Sequence, residues 1–280
     1  MSRRLRSPSP CAIGKIGTSE LLMLEYRARY LRLPWPPAAS WRRPTERLHN
    51  TGGLFPVTRD VYQRFYNTYL ATLRQMDVLA QWQPGQSYEG ILERRTLDRF
   101  APQASRVGLH TLIHFLNPPV SWLTDLANLR WLVVHPFEKT IRAQLPHLAK
   151  LDVFPASSES ALRQRATDTR CLPPPQFSYM VPPRHRDWFH ALEEMKKEME
   201  DQRDHFDIAL IGAGAWSIPL AAHAKAIGKK GLHLGGSLQL LFGIKGGRFD
   251  NWDLYNDRWI RPLPEDRPPD FTRMEKGAYW

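Results

Sequence analysis

The sequence predicts an α/β domain, a mostly parallel sheet with helices on both faces, and three observations predict it. Residues 206–236, FDIALIGAGAWSIPLAAHAKAIGKKGLHLGG, read as strand, glycine turn, helix and second strand, the βαβ unit from which parallel sheets are built. A similar strand-glycine-helix junction, Gly14-Lys15-Ile16-Gly17-Thr18-Ser19-Glu20, stands near the N-terminus. Between them, residues 130–134 form a compact apolar run halted by Pro136, as expected of a buried strand. The length of 280 residues leaves one or two domains open, on a prior of about 150 residues per domain. Glycine turns at both ends of the chain that serve one sheet favour a single domain over 1–280. No internal repeat is present, which excludes solenoids and arrays.

Taken in order, residues 12–16 read as a strand and Gly17 as its turn. Thr18 or Ser19 then caps a helix that carries Leu21, Leu24, Ala28 and Leu31 on one side, with Glu20 in its first turn. Pro, Trp, Arg and Gly without a sustained period mark about 33–57 as a long loop. A helix resumes at Thr58, with Val61, Phe65, Tyr69, Leu73 and Met76 at helical spacing and Asp60 near its positive end. After the strand at 130–134, a helix is expected over 138–148. Trp188, Leu192, Met195 and Met199 form one face of another helix, whose opposite face carries Glu193, Glu194, Lys197 and Glu198. The final unit is a strand over 206–211, a turn at Gly212-Ala213-Gly214, a helix over 217–226 stopped by Gly228, and a strand over 231–234 closed by Gly235-Gly236.

Composition removes several classes. Apolar residues make up 42% and charged residues 24% of the chain, enough to build a core and unlike disordered, collagen-like or coiled-coil sequences. The 24 prolines cluster at 34–37, 173–175 and 262–269, which suggests rigid connections. Cys11 and Cys171 are far apart in sequence, so they make neither a disulfide framework nor a CxxC metal site, and a reducing compartment is expected. Lys15 and the early prolines interrupt any secretory core, and no run reaches the roughly 18 apolar residues of a membrane helix. The expectation is a cytoplasmic protein, with peripheral contact at the inner membrane face as a further option. The net charge is +11, and residues 1–50 alone hold ten Lys and Arg against three Glu. That excess suits an anionic partner: nucleic acid, an acidic membrane surface or a phosphorylated substrate.

Gly212-x-Gly214 lets the backbone turn tightly beside a ligand, and N–H groups at a helix start attract anions. The third glycine of a dinucleotide fingerprint would fall at Ser217, and His233 and Gly235 occupy the strand end where an acidic residue would stand, which argues against NAD. A glycine turn with no ligand is the plain alternative. Thr18, Ser19 and Glu20 are ordinary helix-start residues. The same groups suit contact with a diphosphate, a sugar hydroxyl or a metal. His135 ends its strand, where α/β sheets line their crevice. Lys245 and Arg248 lie in the glycine-flanked loop FGIKGGRFD, suited to phosphate or to solvent. The pairs His110/His114 and His185/His190 lack the glutamate and third ligand of a zinc site. No Gly-x-Ser-x-Gly elbow, Walker loop or kinase signature is present.

Three segments, GKIGTSELLML, LVVHPFEKTIRAQ and FDIALIGAGAWSIPLAAHAKAIGKKGLHLGGSLQLLFGIKGGR, together resemble the GT-D type glycosyltransferases. This is a Rossmann-like group of bacteria and phages linked to surface polysaccharide and glycoconjugate synthesis. The ending, with Trp259-Ile260-Arg261-Pro262 and Gly277-Ala278-Tyr279-Trp280, is similar too, so the resemblance runs over most of the chain. It implies a Rossmann-like fold and a glycosyltransferase that moves sugar from a nucleoside diphosphate sugar, most readily a UDP-sugar, to a glycan or lipid-linked acceptor. It also implies that Glu20, in the junction Gly17-Thr18-Ser19-Glu20, is a donor-site residue and that Gly212-Ala213-Gly214 and Gly235-Gly236 border the nucleotide pocket; the chemistry of the residues adds Lys245 and Arg248 as cations for the departing diphosphate and Glu20 and His135 as catalytic candidates for base. An Asp-x-Glu motif in that group is tied to nucleotide sugar and metal; its counterpart here resembles Thr18-Ser19-Glu20. The glutamate is kept, but one carboxylate and one hydroxyl are a poor pair of ligands for Mg²⁺ or Mn²⁺ unless donor phosphates and water complete the shell, so a divalent cation at Glu20 stays open. The alternative is a nucleic-acid-binding or DNA-modifying transferase that uses the basic N-terminal region. Such a protein would carry a recognisable binding module or basic and aromatic residues interleaved on one helix, and neither is found.

Overall fold

The structure, a computed structural model, describes residues 1–30, 38–81, 88–113, 122–175 and 184–280. One parallel sheet holds β1 (Cys11–Lys15), β2 (Val78–Gln81), β3 (Ser105–Gly108), β4 (Trp131–Val134), β5 (Arg170–Leu172), β6 (Ile208–Ile211) and β7 (Lys230–His233). Their spatial order is β3-β2-β1-β7-β6-β4-β5. The first helices are α1 (Ser2–Arg6), α2 (Thr18–Tyr30), α3 (Ala38–Gly52), α4 (Arg59–Leu73) and α5 (Tyr88–Phe100). The remainder are α6 (His110–Ile113), α7 (Trp122–Ala127), α8 (Glu138–Gln144), α9 (Glu159–Asp168), α10 (Trp188–Asp201) and α11 (Ser217–Ala226). This is a single-domain, Rossmann-like α/β fold.

Every central strand is buried on both faces, and its residues alternate between two cores. Ala12, Leu79, Leu132, Val134, Ala209 and Ile211 join the core with α2, α4, α5, α10 and α11. Ile13, Val78, Ala80, Trp131, Val133, Ile208, Leu210 and Leu232 point to the other, under α1, α7 and α8. Period-2 alternation with no polar face is what a sheet covered on both sides requires.

The βαβ unit forms as expected, with β6 and β7 adjacent and parallel, Leu210 opposite Leu232 and Ile211 opposite His233. Helix α11 is buried nearly all round. Gly231 allows it to lie directly on the sheet, because a Cβ there would come 2.6 Å from the Ala221 Cα. The Thr58 side chain caps α4 by accepting the Val61 N–H at 3.3 Å, and Asp187 caps α10 by accepting the His190 N–H at 2.8 Å.

Two expectations need correction. The proposed loop at about 33–57 is mostly helix α3, while residues 31–37 lie outside the described residues, as does the proline cluster at 34–37. Trp41, Thr45, Leu48 and Gly52 share one face of α3, but Pro44 sits inside it and, among so many prolines and arginines, hides the period. Helix α8 ends at Gln144 and continues as a 3-10 helix over Leu145–Lys150, because Pro146 lacks the N–H that an α-helix needs. Strands β2, β3 and β5 carry too few residues to show a period.

Charged groups at the amino ends of the strands are matched. Asp207, just before β6, accepts from the Arg130 backbone N–H at 2.9 Å and from its guanidinium at 2.8 and 3.1 Å. Asp77, just before β2, accepts the Ala12 N–H at 2.8 Å and pairs with Lys225 at 2.9 Å. No helix among the described residues is long and apolar enough to cross a membrane.

Candidate functional site

The chain leaves β1 towards β2 and β3 on one side, and fills the other side with β4 to β7. At such a reversal the helices diverge and leave a crevice outside the carboxyl ends of the strands. A cavity of about 720 Å³ opens there, within the roughly 300–1,000 Å³ of small-molecule sites. Its floor is made by the ends of four neighbouring strands: Lys15 to Gly17 after β1, His135 after β4, Gly212 to Gly214 after β6, and His233 to Gly236 at β7.

Gly17, Thr18, Ser19, Glu20, His135, Gly212, Ala213, Gly214, Gly235, Gly236 and Arg248 all line this one cavity. Lys245 does not. Its ammonium lies 5.5 Å from the centre of the Tyr255 ring, and its backbone N–H bonds to the Ile260 carbonyl at 2.7 Å.

Glu20 is buried, 8% exposed, and its carboxylate folds back over Gly17, where it occupies the space a Cβ would need. Burial holds its carboxyl above the usual carboxylate range, with Glu275 adding to this, while its own backbone N–H and Lys15 oppose the shift. Ser19 is engaged: Thr51 of α3 donates to its hydroxyl at 2.8 Å. Helix α3 therefore forms one wall, bringing Arg47, His49, Asn50 and Thr51 to the cavity. Those residues were hidden by reading that stretch as loop. Gly214 anchors the wall. Its φ is +55°, and a Cβ on it would come 2.7 Å from the Gly52 carbonyl at the end of α3.

The backbone donors of the glycine turns are already used. Gly212 N–H bonds to the Val134 carbonyl at 2.9 Å, and Ala213 N–H donates to the Ser217 hydroxyl at 2.9 Å. Ser217, at the place of a third fingerprint glycine, thus closes the turn internally. Gly235 N–H donates to His233 Nδ1 at 3.1 Å. The expectation that these amides wait free for an anion is corrected for all three.

Backbone contacts to Nδ1 orient both histidines. Phe137 N–H donates to His135 Nδ1 at 3.0 Å, and since a backbone amide can only donate, the ring proton sits on Nε2. His233 Nδ1 lies 3.1 Å from Gly235 N and 3.2 Å from the Ile211 carbonyl. That carbonyl also accepts from Leu234 N–H at 3.1 Å, so His233 Nδ1 stands between a backbone donor and a backbone acceptor. Burial pushes both imidazoles down to about 3, helped at His233 by the nearby Lys15. Both are neutral near pH 7. His135 Nε2 is consequently a donor and carries no free lone pair.

The remaining wall comes from the C-terminal residues. Arg248 donates to the Tyr279 hydroxyl at 2.6 Å and stands 3.8 Å from Glu275, while Trp280 packs edge-on against Phe137 at 5.5 Å. Of the basic N-terminal fifth, Lys15 and Arg47 reach the cavity. Arg6 pairs with Asp125 at 2.7 Å and Arg42 with Glu46 at 2.9 Å, so part of that excess is matched locally.

The metal expectation at Glu20 does not fit these residues. Among the described residues, Glu20 belongs to no set of three His, Cys, Asp or Glu side chains spaced to hold an ion, and its one carboxylate is held by its own amide. The set with such spacing is His185, His190 and Glu194, whose ligand atoms lie within 4.8 Å of one another. Glu194 is the glutamate that the sequence reading did not find, one helical turn after His190. Its carboxylate lies 2.8 Å from His185 Nε2. His110 begins α6, and His114 lies outside the described residues.

Comparison of the chain with protein-family models, with curated proteins and with solved structures found no match.

Proposed function

We propose that this protein is a glycosyltransferase that moves a sugar from a nucleoside diphosphate sugar, most readily a UDP-sugar, to a hydroxyl of a glycan or lipid-linked acceptor. The observation that carries the reading is convergence. Residues from three distant segments that resemble one family's motifs meet in a single cavity at the carboxyl ends of β1, β4, β6 and β7.

In such a transfer an acceptor oxygen attacks the anomeric carbon, the bond to the donor diphosphate breaks, and the diphosphate leaves with the electron pair. Glu20 suits the first half. A buried carboxylate with a raised pKa is a stronger base than an exposed one, and its operating range moves towards neutrality. The second half needs positive charge and fixed N–H donors around the leaving oxygens. His135 Nε2–H and the Arg248 guanidinium are donors of this kind on the cavity wall.

The reading is tested by titrating a panel of nucleotide sugars by calorimetry and following donor turnover in wild type and Glu20→Ala. Binding of at least one donor and loss of turnover in the variant are expected. No binding by any nucleotide sugar overturns the function, and undiminished turnover in the variant overturns the role of Glu20.

A further inference from the structure

Lys15 and His233 stand in the cavity without a role in the reaction as described. The Lys15 side chain, at the end of β1, makes no hydrogen bond or ion pair among the described residues. A cation drawn out of water with no counter-charge is costly, and burial does hold this ammonium below its usual range, with Glu20 only partly compensating. Its position is well defined. A Cβ placed on Gly235 would lie 3.5 Å from Lys15 Nζ and 3.5 Å from His233 Cε1. The ammonium and the His233 ring therefore flank one point. His135 lines the same cavity, and a Cβ on Gly212 would fall 2.7 Å from His135 Cδ2 and 2.8 Å from the Gly235 carbonyl.

We propose that Lys15, His233 and His135 form an anchor for a phosphoryl anion, and that this anchor holds the donor diphosphate without a divalent cation. Its chemistry is one ammonium and two neutral imidazole N–H donors converging beside Gly235. The Phe137 amide holds His135 in its Nε2–H tautomer, so that amide acts on the anion through the ring and not directly. A metal would need carboxylates, and of the two that line the cavity, Glu20 and Glu275, the second stands 3.8 Å from the Arg248 guanidinium. What the site offers in excess is positive charge and N–H groups, the complement of a phosphate. The inference rests on the nucleotide-sugar reading for the identity of the ligand but not for the anion chemistry.

The test uses the full chain, calorimetry and three probes: UDP, inorganic diphosphate and uridine, each with EDTA and with Mg²⁺ or Mn²⁺. UDP and inorganic diphosphate are expected to bind equally well in EDTA, and uridine far more weakly. Lys15→Met and His233→Asn should each weaken UDP and inorganic diphosphate roughly tenfold or more, in keeping with lost charge-assisted bonds. Lys15→Arg should recover part of that loss, and uridine binding should not change. Nitrogen-15 NMR of the histidines provides a readout that needs no variant. It should show both rings as neutral Nε2–H tautomers at pH 6, with the Nε2 protons moving downfield as inorganic diphosphate is added.

Loss of diphosphate binding in EDTA, unchanged affinity in both variants, or Nδ1–H tautomers would each overturn the anchor. The two readings fail separately. Diphosphate binding without turnover of any nucleotide sugar leaves the anchor and removes the glycosyltransferase, whereas metal-dependent turnover indifferent to Lys15 does the reverse.

Discussion

The two edges of the sheet treat charge in opposite ways. At the amino ends, Asp207 and Asp77 are held by Arg130, Lys225 and backbone amides, and Arg130 keeps the Asp207 carboxyl below its usual range. At the carboxyl ends, Glu20, Lys15, His135 and His233 are all displaced from their ordinary ionisation by burial, with few partners. Matched charges fasten strands to their neighbours. Unmatched ones cost stability unless something else completes them, so the difference marks the carboxyl edge as the place where a ligand belongs.

The sharpest way to break this comparison is Glu20→Gln. Removing a general base costs about 10²–10⁴-fold in rate, while replacing a desolvated carboxylate by a neutral amide should leave the thermal midpoint unchanged or raise it. Donor turnover and calorimetric melting check both, and a large fall in midpoint would show that Glu20 is a structural group. Gly231→Ala, below the same cavity, should behave in reverse. Its Cβ meets the α11 backbone, and such overpacking costs about 1–3 kcal/mol, seen as a lower denaturant midpoint with diphosphate affinity retained.

Acid should act on the carboxyl edge first. Histidines depressed to about 3 in the fold from about 6.5 in the unfolded chain contribute stability that is complete above pH 6.5. That contribution is lost progressively as pH falls through 6.5 towards 3. Asp207, also depressed, is lost only below about pH 4, and Glu20, which is raised, opposes the trend. The influences on these rings are few: burial alone at His135, and at His233 burial and Lys15, opposed by the Ile211 carbonyl. Stability should therefore fall between pH 6.5 and 5 by on the order of 1–2 kcal/mol per imidazole, and His135→Asn with His233→Asn should flatten that slope in urea titrations. Asp207→Asn should have the smallest effect, about 1 kcal/mol because the pair is partly exposed, with ligand binding untouched.

Much of the fold was legible in the residues. Helix α11 and its flanking strands announced themselves through glycine punctuation around apolar runs, and α4 and α10 through their 3.6-residue faces. Helix α3 was not legible, because Pro44 and its arginines blur a narrow apolar face that only Leu48, packed in the core, makes plain. The site was legible at Glu20, His135 and the glycine turns, since each sits where a strand ends. Lys15 and His233 were not, because a lysine and a histidine at strand ends look like ordinary polar residues until the strands are laid side by side.

By itself, the sequence determined the parallel α/β architecture, the two glycine junctions and the identity of the residues at the strand ends, because local periodicity and turn chemistry are written in neighbouring residues. Only the tertiary structure decided that β1 and β7, more than 200 residues apart in sequence, are adjacent. That adjacency brings Lys15 to His233, and at His135 a backbone amide, not a side chain, chooses which imidazole nitrogen carries the proton. These are properties of strand order and of distance in space, which no local pattern encodes.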